Sequence, residues 1–114
     1  MQIRRFNPGP RMSKGVAYGG LFFSAGQVDT AGANVTEQTQ NILGRIDELL
    51  AQAGSDRSKL ISATIWLADI ATFNEMNAVW DAWIDKNNPP ARATVEARLA
   101  NPDYKVEIAI VAAV

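Results

Sequence analysis

The chain has 114 residues, 47% hydrophobic and 20% charged, the composition of one globular domain over 1–114 and not of a disordered chain. A net charge of −1 without a run of like charges excludes the basic stripe of a nucleic-acid binder. With no apolar span of ~20 residues and no signal core after Met1-Gln2-Ile3-Arg4-Arg5, no membrane partner is expected and the chain reads as cytoplasmic.

Strand patterns come first, at about Ile3–Phe6, Lys14–Tyr18 and Leu21–Gln27, with turn signals at Asn7-Pro8-Gly9-Pro10 and Gly19-Gly20. Val35, Thr39, Ile42, Ile46, Leu49, Leu50 and Ala53 then recur at spacings of three and four, the apolar stripe of a helix. Asn34 is placed to cap it, Glu37 to complete a capping box and Gly54 to end it. A strand at Leu60–Leu67 follows, and then a second helix carrying Phe73, Met76, Val79, Trp80, Trp83 and Ile84. Asp69, or Thr72 with Glu75, starts that helix, and Asn87-Asn88-Pro89-Pro90 ends it. Strands at Ala91–Leu99 and Lys105–Val114 complete the order βββαβαββ. This is an α+β fold with a mixed six-stranded sheet and two helices on one face. The first helix is a crossover, right-handed if the strands it joins are parallel.

The strand faces carry further information. Ala91, Ala93, Val95, Ala97 and Leu99 alternate with Arg92, Thr94, Glu96 and Arg98, which predicts that one face of the strand packs on the helices and the polar one turns away. The last strand remains apolar at Ala109, Val111 and Ala113 on the face that begins with Lys105 and Glu107, and Leu21–Ala25 is apolar on both faces. Two helices cover only one side of such a sheet, so the far side is expected to meet another copy of the chain.

The absence of Cys and His removes disulfides, thiol nucleophiles, imidazole bases and the usual metal sites. Chemistry then rests on carboxylates, cations, hydroxyls, backbone groups and water. Arg92 follows Pro89-Pro90-Ala91, where a guanidinium beside a rigid turn can grip a carboxylate by two parallel hydrogen bonds. Its plainer role is an ion pair with Glu96 or Glu107. If the last two strands pair with Arg98 facing Lys105, Arg92 and Glu107 share the face away from the helices. Glu107 could there activate a water, or simply pair with a cation. The glycine of Ser24-Ala25-Gly26-Gln27 allows close approach to the backbone, or marks a bend. Asn77 reads as a structural tie, and Trp80 and Trp83 as core or interface.

Taken together, Gly19-Gly20-Leu21-Phe22-Phe23-Ser24-Ala25-Gly26-Gln27, Gln38-Thr39 leading to Ala53-Gly54, Phe73-Asn74-Glu75-Met76-Asn77, Pro90-Ala91-Arg92 and Val106-Glu107-Ile108 resemble the RidA (YjgF) family of reactive-intermediate deaminases. The resemblance runs from about Pro10 to the C-terminus. It implies a chorismate-mutase-like fold, a homotrimer with ligand sites between subunits, and no cofactor or metal. It also implies hydrolysis of enamines and imines such as 2-aminoacrylate to 2-oxo acids and ammonia.

Residue by residue, Arg92 matches the family's carboxylate-binding arginine and Glu107 the acid that positions the attacking water. Gly26 matches the glycine lining the pocket, beside Ala25, and the backbone at Thr94 stands where a family Cys helps hold the carboxylate. There are three departures. Ala25 replaces a Ser, Arg11-Met12 replaces a Tyr after Gly-Pro, and Ala109 replaces a second Glu. The alternative is therefore a non-catalytic trimeric module that binds small carboxylic acids, for sensing or for regulating a partner. RNA cleavage, also attached to the family, finds no basic surface or nuclease constellation in this sequence.

Overall fold

The computed structural model describes residues 1–114. Six strands and two α-helices follow the expected order: β1 (Arg4–Phe6), β2 (Gly15–Tyr18), β3 (Leu21–Ser24), α1 (Val35–Ala53), β4 (Leu60–Leu67), α2 (Phe73–Trp83), β5 (Ala91–Glu96) and β6 (Val106–Ala113). They form one mixed sheet in the spatial order β1-β2-β3-β6-β4-β5. Only β4 and β5 are adjacent and parallel. The helix between them is thus a crossover, as is α1, which links β3 to the parallel but non-adjacent β4. No helix is long and apolar enough to cross a membrane.

Local chemistry accounts for the elements. Asn34 caps α1 by accepting the Glu37 N–H at 2.9 Å, and Glu37 returns a bond to the Ala33 N–H at 3.0 Å, much as the capping box requires. Gly54 closes the helix. Gly19 and Gly20 take φ of +62° and +79°, which a two-residue hairpin between β2 and β3 demands and which other residues adopt at a cost. The expected start of α2 differs in detail. Asp69 caps a separate 3-10 turn at Ile70–Thr72, and Thr72 makes no side-chain cap. Glu75 instead reaches across to the Thr36 N–H and hydroxyl, both at 3.0 Å, and ties the two helices together.

Both helices lie on one face of the sheet. Ile42, Leu43, Ile46, Leu50, Met76 and Trp80 close over Phe22, Ile65, Leu67, Val106 and Ile108 in a single core. Each such aliphatic side chain contributes about 1.5–3 kcal/mol on burial. The opposite face carries Phe23, Val111, Ala109, Trp66, Ala93 and Val95 with no layer above it, and Phe23 and Val95 are 43% and 49% exposed.

Two strands end three residues before the sequence suggested. The third stops at Ser24, and β5 stops at Glu96, where its partner β4 ends at Leu67. The expected pairing of the last two strands is also replaced, because β4 lies between β5 and β6. The crossover through α2 sets β5 parallel to β4 and here directly beside it, so β6 pairs with the other edge of β4 and not with β5. The faces of β5 invert with that change. Arg92, Thr94 and Glu96 align with Ala63, Ile65 and Leu67 on the helix side, and Ala91, Ala93 and Val95 turn to the far side.

Candidate functional site

Arg92 emerges on the outermost strand of the sheet, against the start of α2. Its guanidinium lies 5.2 Å from the Trp80 ring centroid and 5.8 Å from that of Phe73. Phe73, Asn77 and Trp80 fall at i, i+4 and i+7, which sets Asn77 on the same side of the helix as the two rings. The ion pair with Glu96 or Glu107 does not form. Glu96 accepts the Ile70 N–H instead, at 3.0 Å, and the two ion pairs of the chain are Arg45–Asp29 and Arg57–Asp47.

Two buried oxygens near these rings, Thr94 Oγ1 and Asn77 Oδ1, have no hydrogen-bond partner. A buried polar atom left unpaired costs about 1–3 kcal/mol, while cation–π contact with exposed or partly exposed rings returns about 0.5–2 kcal/mol. The corner thus holds two acceptors that the chain's own donors leave unused. The reading of Asn77 as a structural tie fails, since its carbonyl ties nothing. The signal in the sequence was its spacing of four from Phe73 and three from Trp80.

Glu107 occupies a second, separate location on the far face, across from Trp66. Burial pushes its carboxyl above the ordinary carboxylate value, and no charged neighbour contributes to the shift. Gly26 stands against it. A β-carbon at position 26 would lie 2.0 Å from Glu107 Oε2 and 2.9 Å from its carboxyl carbon. The space a glycine was expected to leave for a ligand is taken by the chain's own carboxylate. Ala25, next in the same bend, donates its N–H to the Lys14 carbonyl at 2.9 Å and accepts the Gln27 amide at 3.0 Å.

The candidate residues therefore fall into two groups. Arg92 and Thr94 lie on the helix side of β5, while Glu107 lies on the far side of β6 with Gly26 against it and Ala25 next to Gly26 in the bend. The expectation that Arg92 and Glu107 share a face is corrected. Their α-carbons are roughly 14 Å apart, two strand spacings across the sheet and three residues along it, and their side chains leave the sheet in opposite directions. Within one chain they cannot hold the same small molecule.

The family model described as Endoribonuclease L-PSP matches residues 2–114. The chain belongs to this family, to which the RutC and YjgF proteins are assigned. A RutC family protein of Haemophilus influenzae is 46% identical over 114 residues, covering 98% of each chain. The RutC family protein YoaB of Escherichia coli K12 is 44% identical over the whole of both. Among solved structures, the YjgF-family protein NMB1025 of Neisseria meningitidis superposes with a TM-score of 0.97 at 47% identity, over 99% of this chain and 95% of that one. Rv2704 of Mycobacterium tuberculosis, from the same family, superposes with a TM-score of 0.91 at 28% identity. The six-stranded sheet with two helices on one face is thus a YjgF-family fold.

Proposed function

We propose that the chain is a hydrolytic deaminase of enamine and imine derivatives of 2-amino acids, such as 2-aminoacrylate, releasing 2-oxo acids and ammonia. It acts as a homotrimer in which Arg92 of one copy and Glu107 of a neighbour face the same substrate. The observation that carries this reading is the Arg92 corner: a half-buried guanidinium beside two aromatic rings and two unpaired buried oxygens, without a carboxylate. Family membership, the uncovered apolar far face and the separation of Arg92 from Glu107 support it further.

Arg92 would hold the substrate carboxylate through two parallel charge-assisted bonds. An enamine takes a proton at carbon to become the iminium, and water then adds to the carbon bearing nitrogen. Ionised Glu107 accepts a proton of that water and passes it to nitrogen, then takes the remaining hydroxyl proton as the C–N bond breaks, leaving a ketone and ammonia and returning to solvent the proton that the enamine carbon took up. Desolvation that raises the Glu107 carboxyl brings both protonation states closer to working conditions. Positioning supplies most of the effect, because the imine is reactive already.

The test couples the pure protein, at micromolar levels, to a pyridoxal-phosphate dehydratase that releases 2-aminoacrylate and follows the decay of the free species. Faster decay that is lost in Arg92→Ala is the expected result. Ala25 favours one other reading, since a methyl stands, next to Gly26, where the family Ser would bring a hydroxyl: a module that binds small carboxylic acids without turnover. Saturable 2-oxo acid binding with no acceleration would select that module and reject the deaminase. RNA cleavage, which the description of the family model suggests, would need a row of cations along a strand of phosphates, and the candidate groups supply one guanidinium.

A further inference from the structure

The bend that presses Gly26 against Glu107 is built by side chains on either side of it. Regular pairing of β3 with β6 reaches Phe23 opposite Val111 and resumes at an isolated bridge between Gln27 and Ile108. In that bridge the N–H of each residue reaches the carbonyl of the other, at 2.8 and 3.1 Å. Between these points Ser24, Ala25 and Gly26 stand opposite only Ile110 and Ala109. The strand therefore bulges, a device that re-aims a chain next to a functional group.

A bulge leaves a donor on the partner strand without its backbone acceptor. Here Ile110 is that residue, 2% exposed, and its N–H goes to the Ser24 hydroxyl at 2.9 Å. On the other side Gln27, 5% exposed, turns its amide back onto the Ala25 carbonyl at 3.0 Å. Two side chains thus satisfy what the ladder has lost. Without the Ser24 oxygen, the buried Ile110 N–H would regain an acceptor most simply if the strand slid back into regular pairing. Gly26 would then leave the Glu107 carboxylate.

We propose that Ser24 and Gln27 are positioning residues, which act on the reaction through Glu107 by holding the Ala25–Gly26 bulge against its carboxylate. The catalytic part of this statement rests on the deaminase reading above, and the geometric part does not. The ionisable residues beside these elements are Lys105, which immediately precedes the strand that carries Glu107, and Lys14, whose carbonyl accepts the Ala25 N–H. Neither contributes to the state of Glu107, which burial alone sets.

The test is the carboxyl titration of Glu107, followed by carbon NMR in the full-length protein, for wild type, Ser24→Ala, Ser24→Thr and Gln27→Met. Ser24→Ala and Gln27→Met should each let water reach Glu107 and move its titration down, toward the ordinary carboxylate value. Ser24→Thr keeps the hydroxyl and should restore the wild-type curve. Imine turnover should fall about tenfold to a hundredfold in the first two, with KM little changed because Arg92 is untouched. A titration that matches wild type in whichever of the two folds would overturn the proposal, whatever happens to stability. A displaced titration in a protein that hydrolyses no imine would uphold the positioning role and reject the deaminase reading.

Discussion

Arg92 illustrates how far a single residue can be read from its neighbours in sequence. Pro89, Pro90 and Ala91 marked the position, but what distinguishes Arg92 from the other arginines is the pair of rings beside it, Phe73 and Trp80, where Arg4 and Arg57 each meet one. A guanidinium held beside two rings keeps a planar fork of donors free, which a lysine ammonium cannot reproduce. Arg92→Lys is therefore expected to lose about a hundredfold in kcat/KM, roughly the 2.7 kcal/mol that two such bonds represent. Steady-state kinetics checks this, and a loss under threefold would contradict the fork. Gly26 makes a complementary case. In Gly26→Ala the new methyl meets the end of a flexible side chain, not a backbone, so Glu107 swings aside at little cost. Thermal unfolding should change by no more than about 1 kcal/mol, while turnover falls at least tenfold. A variant as active as wild type would show that the position of Glu107 is immaterial. Neither Thr94 Oγ1 nor the Asn77 carbonyl could be recognised as unpaired from sequence, because the strand next to β5 decides both.

At the scale of elements, the helices were readable and the sheet order was not. The stripe in α1, its Asn34 cap and its Gly54 stop are local, set by residues within one or two turns. The choice of strand neighbours depends on a crossover, and the faces of β5 on which side lacks helices. Alternation in Ala91–Leu99 showed that the strand had two faces without saying which was which. A bend was legible in the glycine of Ser24-Ala25-Gly26-Gln27, but not that pairing resumes beyond it at Gln27 and makes the bend a bulge. The loop that follows is anchored by Asp29, 4% exposed, which accepts the Gly32 N–H at 2.8 Å and the Asn41 amide at 3.0 Å and pairs with Arg45. Burial would raise the Asp29 carboxyl, but bonds from Asn41, the Gly32 N–H, Arg45 and the Ala31 N–H outweigh it and hold it below its ordinary 3.8. A carboxyl lowered in the folded state stabilises above its unfolded value and loses that contribution as pH falls through the folded one. Asp29→Asn should thus cost about 1–3 kcal/mol at pH 7, and the difference from wild type should shrink below pH 3.8. Urea unfolding at both pH values measures it, and a gap that widens in acid would contradict the assignment.

At the scale of the whole molecule, one chain carries both groups of the proposed site and keeps them apart. Arg92 and Thr94 leave the sheet on the helix side of its edge strand, and Glu107 and Gly26 on the uncovered face. An edge strand with exposed Ala91, Ala93 and Val95 beside an apolar face is the form of a surface that pairs with another copy. The measurement that bears most directly on this account mixes two inactive variants, Arg92→Ala and Glu107→Gln, by co-refolding in equal amounts. If each site joins Arg92 of one copy to Glu107 of its neighbour, random assembly leaves about a quarter of the sites intact, and roughly a quarter of wild-type imine hydrolysis should return. If the mixture is as inactive as its components although it forms mixed oligomers, the two residues do not meet across a subunit boundary, and the proposed site is wrong.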